Sequence, residues 1–108
     1  MVNKLLSSLG LCKKAGKLVA GFEAVSDDIK AGKAFLVVTA ADLSPKTEKE
    51  IQYITEKHLI DHIAAPVTMD EISHWLGRRV GVLAVSDAGL ARAVSMAAVR
   101  LNEEEQLI

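Results

Sequence analysis

Ala34-Phe35-Leu36-Val37-Val38-Thr39-Ala40 is a continuous apolar run of strand length. Runs of this kind mark a strand buried on both faces, as in a parallel sheet covered by helices. Val80-Gly81-Val82-Leu83-Ala84-Val85 is a second long apolar run. Together they call for a sheet with helical cover on either side, and the flanking sequence supplies it.

Upstream, Asn3 is placed to cap a helix running to about Lys14. Leu5, Leu9 and Cys12 follow at i, i+4 and i+7, and Leu6 widens the stripe. Cys12 falls on that apolar face and reads as a small buried hydrophobe. Gly16 stops the helix, and Lys17-Leu18-Val19 reads as a short strand. Gly21 opens a second helix with Phe22, Val25 and Ile29 on its buried face, Asp27-Asp28 on its solvated surface and Gly32 as its stop.

Downstream, Asp42-Leu43-Ser44-Pro45 makes a loop and a helix start, with Ser44 as N-cap and Pro45 at the first helical position. The third helix carries Ile51, Ile54 and His58 at i, i+3 and i+7 and a mixture of charges outside. His62-Ile63-Ala64-Ala65 reads as a short strand. Thr68-Met69-Asp70-Glu71 fits a capping box, with Val67 and Ile72 spaced as a hydrophobic staple, for a short helix ending at Gly77. Arg78-Arg79 fills the turn before the second apolar run. Ser86 is placed as the cap of a last helix with Leu90, Val94, Ala97 and Leu101 along one side. Helices alternate with strands, so the expected class is α/β: a three-layer α-β-α sandwich around a small mixed, mostly parallel four-stranded sheet.

At 108 residues, half of them hydrophobic, the chain (1–108) reads as a single domain with a real core. Four aromatics, Phe22, Phe35, Tyr53 and Trp75, leave few platforms for stacking unpaired bases and disfavour a general single-strand binder. The formal net charge is −1, so polyanion binding has to rest on a local patch. Residues 1–20 carry Lys4, Lys13, Lys14 and Lys17 and no acid, whereas Glu103-Glu104-Glu105 lies at the other end. One cysteine excludes an intrachain disulfide and fits a reducing compartment. Met1–Cys12 is too short and interrupted for a secretion signal, and no run nears the ~20 apolar residues of a membrane span. A soluble, cytoplasmic protein without membrane contact is expected.

No convergent catalytic set is present. Walker, GxGxxG and GxSxG patterns are missing. His58 and His62 straddle the end of a helix, and no third ligand has metal-site spacing. Asp42 follows a buried strand as a phosphoacceptor would, but Asp27-Asp28 lies within a helix and Val85-Ser86-Asp87 brings no lysine, so that reading fails. What remains is binding. A glycine at a helix start lets a ligand approach unpaired N–H groups at the positive end of the dipole, and lysines beside it suit phosphate.

The order of motifs carries a resemblance. Leu9-Gly10-Leu11-Cys12-Lys13-Lys14-Ala15-Gly16-Lys17-Leu18-Val19-Ala20-Gly21 comes first, and a helix ending Ala31-Gly32-Lys33-Ala34 follows. Ala41-Asp42-Leu43-Ser44-Pro45-Lys46-Thr47 and Val82-Leu83-Ala84-Val85-Ser86-Asp87-Ala88-Gly89-Leu90-Ala91 complete the set. Over about Lys4 to Leu101 this resembles the kink-turn RNA-binding ribosomal-protein superfamily (the L-seven-Ae and L-thirty-e group), in particular its small bacterial YlxQ-like branch. The resemblance implies a non-enzymatic α-β-α sandwich that binds structured RNA, often within or near the ribosome, without a cofactor; ribosomal RNA as a partner and a monomeric state are expected.

It also implies contacts. Kink-turn binders open the second helix with Gly-x-Asn-Glu-x-x-basic; here Gly21 keeps the glycine, Glu23 and Ala24 stand in the Asn-Glu places, and Asp27 replaces the basic residue. Glutamate lacks an amide's donor, alanine offers nothing, and Asp27 repels phosphate. Gly77-Arg78-Arg79-Val80 occupies the place of the family's loop for flipped-out bases and is shorter. The expected RNA contacts are Lys13, Lys14, Lys17, Gly21, Glu23, Lys46, Arg78 and Arg79, with altered preference for kink-turns. A protein-interaction module on the same scaffold is the alternative, favoured by Asp27-Asp28 and the near-neutral charge.

Overall fold

The structure, a computed structural model, describes residues 4–106 and the side chains of residues 4–101. The expected Asn3 cap lies outside the described residues. In chain order the elements are α1 (Lys4–Lys14), β1 (Leu18–Ala20), α2 (Phe22–Lys30), β2 (Leu36–Thr39), α3 (Pro45–Lys57), β3 (Asp61–Ala64), α4 (Met69–Leu76), β4 (Val82–Val85) and α5 (Ala88–Gln106).

Both apolar runs become central strands, and every residue of β2 and of β4 is buried. The spatial order is β1-β4-β2-β3. Alternation within the runs divides the core in two. Leu36, Val38, Leu83 and Val85 face Leu5, Leu6, Leu9, Cys12, Ile72, Val94 and Ala98 from α1, α4 and α5. Val37, Val82 and Ala84 face Val25, Ile29 and Ile51 from α2 and α3. Each buried leucine or isoleucine contributes about 1.5–3 kcal/mol relative to exposure.

The mixed sheet is as expected, but its parallel part is the minority. Only β2 and β3 pair parallel, Val37 opposite His62; β4 runs antiparallel to both β2 and β1, with Val38 opposite Leu83 and Val19 opposite Ala84. A two-sided apolar run reports cover on both faces, not strand direction. Residues 65–81 leave and re-enter the sheet at the same end, since Ala41 N–H bonds Val67 O and Ala40 N–H bonds Gly81 O. That return reverses β4.

Local signals mostly act as their chemistry predicts. Gly16, at φ 71, closes α1: its N–H bonds Lys13 O, and the Lys17 N–H bonds Cys12 O. The Ser44 cap, Pro45, the Thr68–Glu71 capping box and the Gly77 stop are all present. Others differ. β1 starts one residue later than expected. Thr55, not His58, fills the buried row of α3, because its hydroxyl bonds Ile51 O inside the helix, whereas His58 is the exposed C-cap. Asp87 caps α5 by accepting the Leu90 N–H at 2.8 Å. Ser86 reaches instead to Asp28, donating to its carboxylate at 3.0 Å, so Asp28 is a tie between α2 and the end of β4 rather than part of a solvated face.

Candidate nucleic-acid interface

Since β1, β2 and β3 run one way and β4 the other, the residues after β1–β3 meet those before β4 at one end of the sheet. This end holds Gly21, the Ala40–Ser44 turn, the start of α4 and the Arg78–Gly81 loop.

Gly21 anchors the arrangement. Its N–H bonds Val82 O at 2.9 Å, which fixes the start of α2 against β4. Its backbone, at φ 100 and ψ 149, lies in a region open essentially to glycine. No side chain caps the helix, and the Val25 N–H is the first to reach a helical carbonyl, at Gly21 O. Those first-turn donors and the dipole favour an anion. Arg78 packs over this point. Its Nη1 donates to Ala20 O at 3.3 Å, and its Nη2 would lie 3.3 Å from any Cβ placed on Gly21.

The remainder of the loop is held from α4. Arg79 Nε donates to Asp70 at 3.0 Å, and both side chains are largely exposed, 57% and 83%. Pairs of that exposure contribute about 0–1 kcal/mol and exchange partners readily. Asp42 accepts the Met69 N–H at 2.9 Å and so joins the β2–α3 turn to the start of α4. This resolves Asp42, whose position alone suggested chemistry, as a structural tie. Gly81 lets the pieces close: a Cβ there would stand 2.6 Å from Leu43 Cδ1 and 3.1 Å from Met69 Sδ. Lys46 and Glu23 are exposed in the first turns of α3 and α2.

The structure thus gathers Gly21, Glu23, Lys46, Arg78 and Arg79 at one end. The lysine turn is elsewhere. Lys17 O accepts the Ser86 N–H beyond the last residue of β4, across the length of β1, about 10 Å away. Lys13 Nζ donates to Leu76 O, where a cation complements the C-terminal end of α4. Lys14 lies with Leu11 and Trp75 along the α1–α4 groove. Sequence reasoning read a short strand at Lys17-Leu18-Val19 yet grouped these cations as one set of contacts; the length of that strand separates Lys17 from Gly21. It also missed Asp70 as the partner of Arg79, for which the only signal was its place in the capping box.

Other chemistry-bearing residues are dispersed. His62 Nε2 lies 2.9 Å from the buried Thr39 hydroxyl and 3.5 Å from Glu48, a polar tie between β2, β3 and α3. Burial pushes the Cys12 thiol up from its ordinary value, a backbone hydrogen bond opposes this, and the charge of Asp87 adds to it. Among the described residues no three His, Cys, Asp or Glu side chains are grouped to hold a metal ion, and no helix is long and apolar enough to cross a membrane.

The model of the ribosomal protein L7Ae/L30e/S12e/Gadd45 family matches residues 3–95. The chain belongs to this family. Among its relatives, the large ribosomal subunit protein eL30B of Schizosaccharomyces pombe is 32% identical, over 77% of this chain and 73% of its own. RNA-binding protein YlxQ of Bacillus subtilis is 34% identical, over 77% and 83%, which supports the bacterial YlxQ-like branch within the family. Among solved structures, a protein of unknown function from Bacillus halodurans superposes with a TM-score of 0.83 at 26% identity, covering 90% of this chain and 98% of that one. The Giardia lamblia 15.5kD RNA binding protein shares the fold, with a TM-score of 0.71 at 16% identity over 93% and 86%. The α-β-α sandwich of the family is therefore the architecture built here, with Gly21 and the Arg78–Gly81 loop brought to one end of its sheet.

Proposed function

We propose that the chain is a non-enzymatic, ribosomal-protein-like RNA-binding protein that grips structured RNA at the Gly21–Arg78 end of its sheet. The observation that carries this is the docking of Arg78 on Gly21, which joins an uncapped helix start and two guanidinium groups on one surface. Relatives named as RNA-binding and ribosomal proteins support the reading. Lys46, Arg78 and Arg79 hold phosphates there, Arg78 and Arg79 being suited to bidentate contacts. Lys14 and Lys17, on another part of the surface, meet a flanking phosphate run. The protein works in the cytoplasm as a monomer, at or near ribosomal RNA.

Kink-turn preference is weak in this proposal. Glu23 and Ala24 are exposed at the start of α2 and Asp27 one turn further on, so the face that would read the bent RNA is acidic and lacks amide donors. A gel-shift comparison of a kink-turn RNA with a straight duplex tests both parts. Binding to each with little selectivity is expected. Replacing Arg78 and Arg79 by Ala lowers affinity and flattens the salt dependence by about 0.9 per lost phosphate contact. Tight, kink-selective binding refutes the weak preference, and an unchanged salt slope refutes the contact.

A second reading, a protein-interaction module, is favoured by the exposed Leu11, Trp75, Met96 and Val99 on the α1, α4 and α5 layer. Association that survives ribonuclease and is lost on Leu11→Glu replacement distinguishes it.

A further inference from the structure

The groove between α2 and α3 is not used by the surface described above. It opens beside Gly21, at Phe22, and encloses about 530 Å³. Lys30 stands on one wall and Lys49 and Lys57 on the other, with Glu50 the one acid among its lining residues. None of the three lysines forms an ion pair among the described residues. Tyr53 lies between Lys49 and Lys57, one turn from each on the same row of α3, and is 66% exposed. On α2, Ser26 stands one turn from both Phe22 and Lys30. It is only 6% exposed, and its Oγ lacks a hydrogen-bond partner among the described residues.

Three cations against one acid, around an accessible ring, suit a ligand that is both anionic and flat-faced. We propose that this groove holds a short unpaired RNA segment that leaves the structured RNA bound at the Gly21–Arg78 end. The lysines meet its phosphates and Tyr53 stacks on a base. The inference rests on the RNA-binding reading and adds to it a second site with a different ligand form. An unpaired strand fits because a ring stacks only on a base free of its duplex. From Lys49 to Lys57 the row spans about 12 Å, room for a short segment only.

The test uses fluorescence anisotropy with one structured RNA in three forms: blunt, with a 5′ single-stranded extension, and with a 3′ extension. One extension tightens binding about tenfold, the worth of one stacked base. Tyr53→Ala removes most of that gain. The Lys49→Ala, Lys57→Ala pair lowers the extension's share of the salt slope by about 1.4. Neither variant changes affinity for the blunt RNA, which shows that both remain folded and competent. If wild-type protein binds all three RNAs equally, the groove is not the site, and the RNA-binding reading stands. If it binds none, both fall.

Discussion

Replacing Gly21 by Ala tests the fold and the interface in one substitution. At φ 100 and ψ 149 the backbone there sits where a side chain costs on the order of 1–3 kcal/mol. The new Cβ also meets Arg78 Nη2 at 3.3 Å. That contact is with the far end of a flexible side chain, so it adds little to the cost but moves the guanidinium off Ala20 O. A loss of about 2 kcal/mol is expected, which for a domain of this size lowers Tm by about 10 °C. Gly10→Ala is the matched control. Gly10 lies inside α1, a Cβ there meets nothing within 4 Å, and Ala is favoured over Gly in a helix by about 0.5–1 kcal/mol. Urea and thermal melts of both variants measure stability, and RNA titration well below the melting range measures binding. Gly21→Ala as stable as wild type refutes the strain argument. The expected destabilisation with unchanged RNA affinity refutes the role given to Arg78 on Gly21.

Two further outcomes follow from local geometry. Among the described residues Leu59 is the non-glycine residue at positive φ, 57°, where it closes α3 with its N–H on Glu56 O and the Ile60 N–H on Thr55 O, and it is 92% exposed. Leu59→Gly relieves the left-handed conformation without losing buried surface and raises stability by about 1 kcal/mol in urea melts; a loss there refutes the assignment. For Cys12 the folded thiol has its pKa raised, chiefly by burial. The folded state therefore holds the proton more tightly, and this contribution is complete below the unfolded thiol's pKa of about 8.5 and is lost as pH rises toward the folded value. Urea melts from neutral to alkaline pH show wild type losing stability faster than Cys12→Ala, and parallel curves refute this.

How much could be read from sequence depends on whether the signal is local. Gly16, Ser44-Pro45, Thr68–Glu71 and Gly77 act within a few residues of themselves, and the structure uses each as its chemistry suggests. The two apolar runs report cover on both faces, so the central strands were legible while the antiparallel setting of β4 was not. Ser86 and Asp87 are adjacent, and both suit a helix start. Only the approach of Asp28, 58 positions earlier in the chain, settles which caps α5 and which bonds elsewhere. The candidate interface shows the same limit. Lys17 and Gly21 are four apart in sequence, but an intervening strand puts them at opposite ends of the sheet, while Arg78 comes back over Gly21.

On the proposed reading, charge at that end lets a near-neutral chain hold RNA and makes its grip depend on conditions. Arg78 spends its visible hydrogen bond on a neutral carbonyl, Ala20 O, so its full charge remains available. Arg79 is matched by Asp70, yet both are so exposed that water already screens them, and a phosphate can replace the carboxylate at small cost. Glu23 stands close to the helix start and opposes an incoming phosphate without cancelling the donors of the first turn. The surface thus offers a few cations and oriented N–H groups rather than a strong field. Attraction of that kind falls steeply with salt, and shape at Gly21 has to supply the selectivity that charge does not. A kink-turn reader gains that selectivity from amide donors on α2. With Glu23, Ala24 and Asp27 in their places, the proposed reading draws it instead from the fit of an RNA backbone against the Arg78–Gly81 loop.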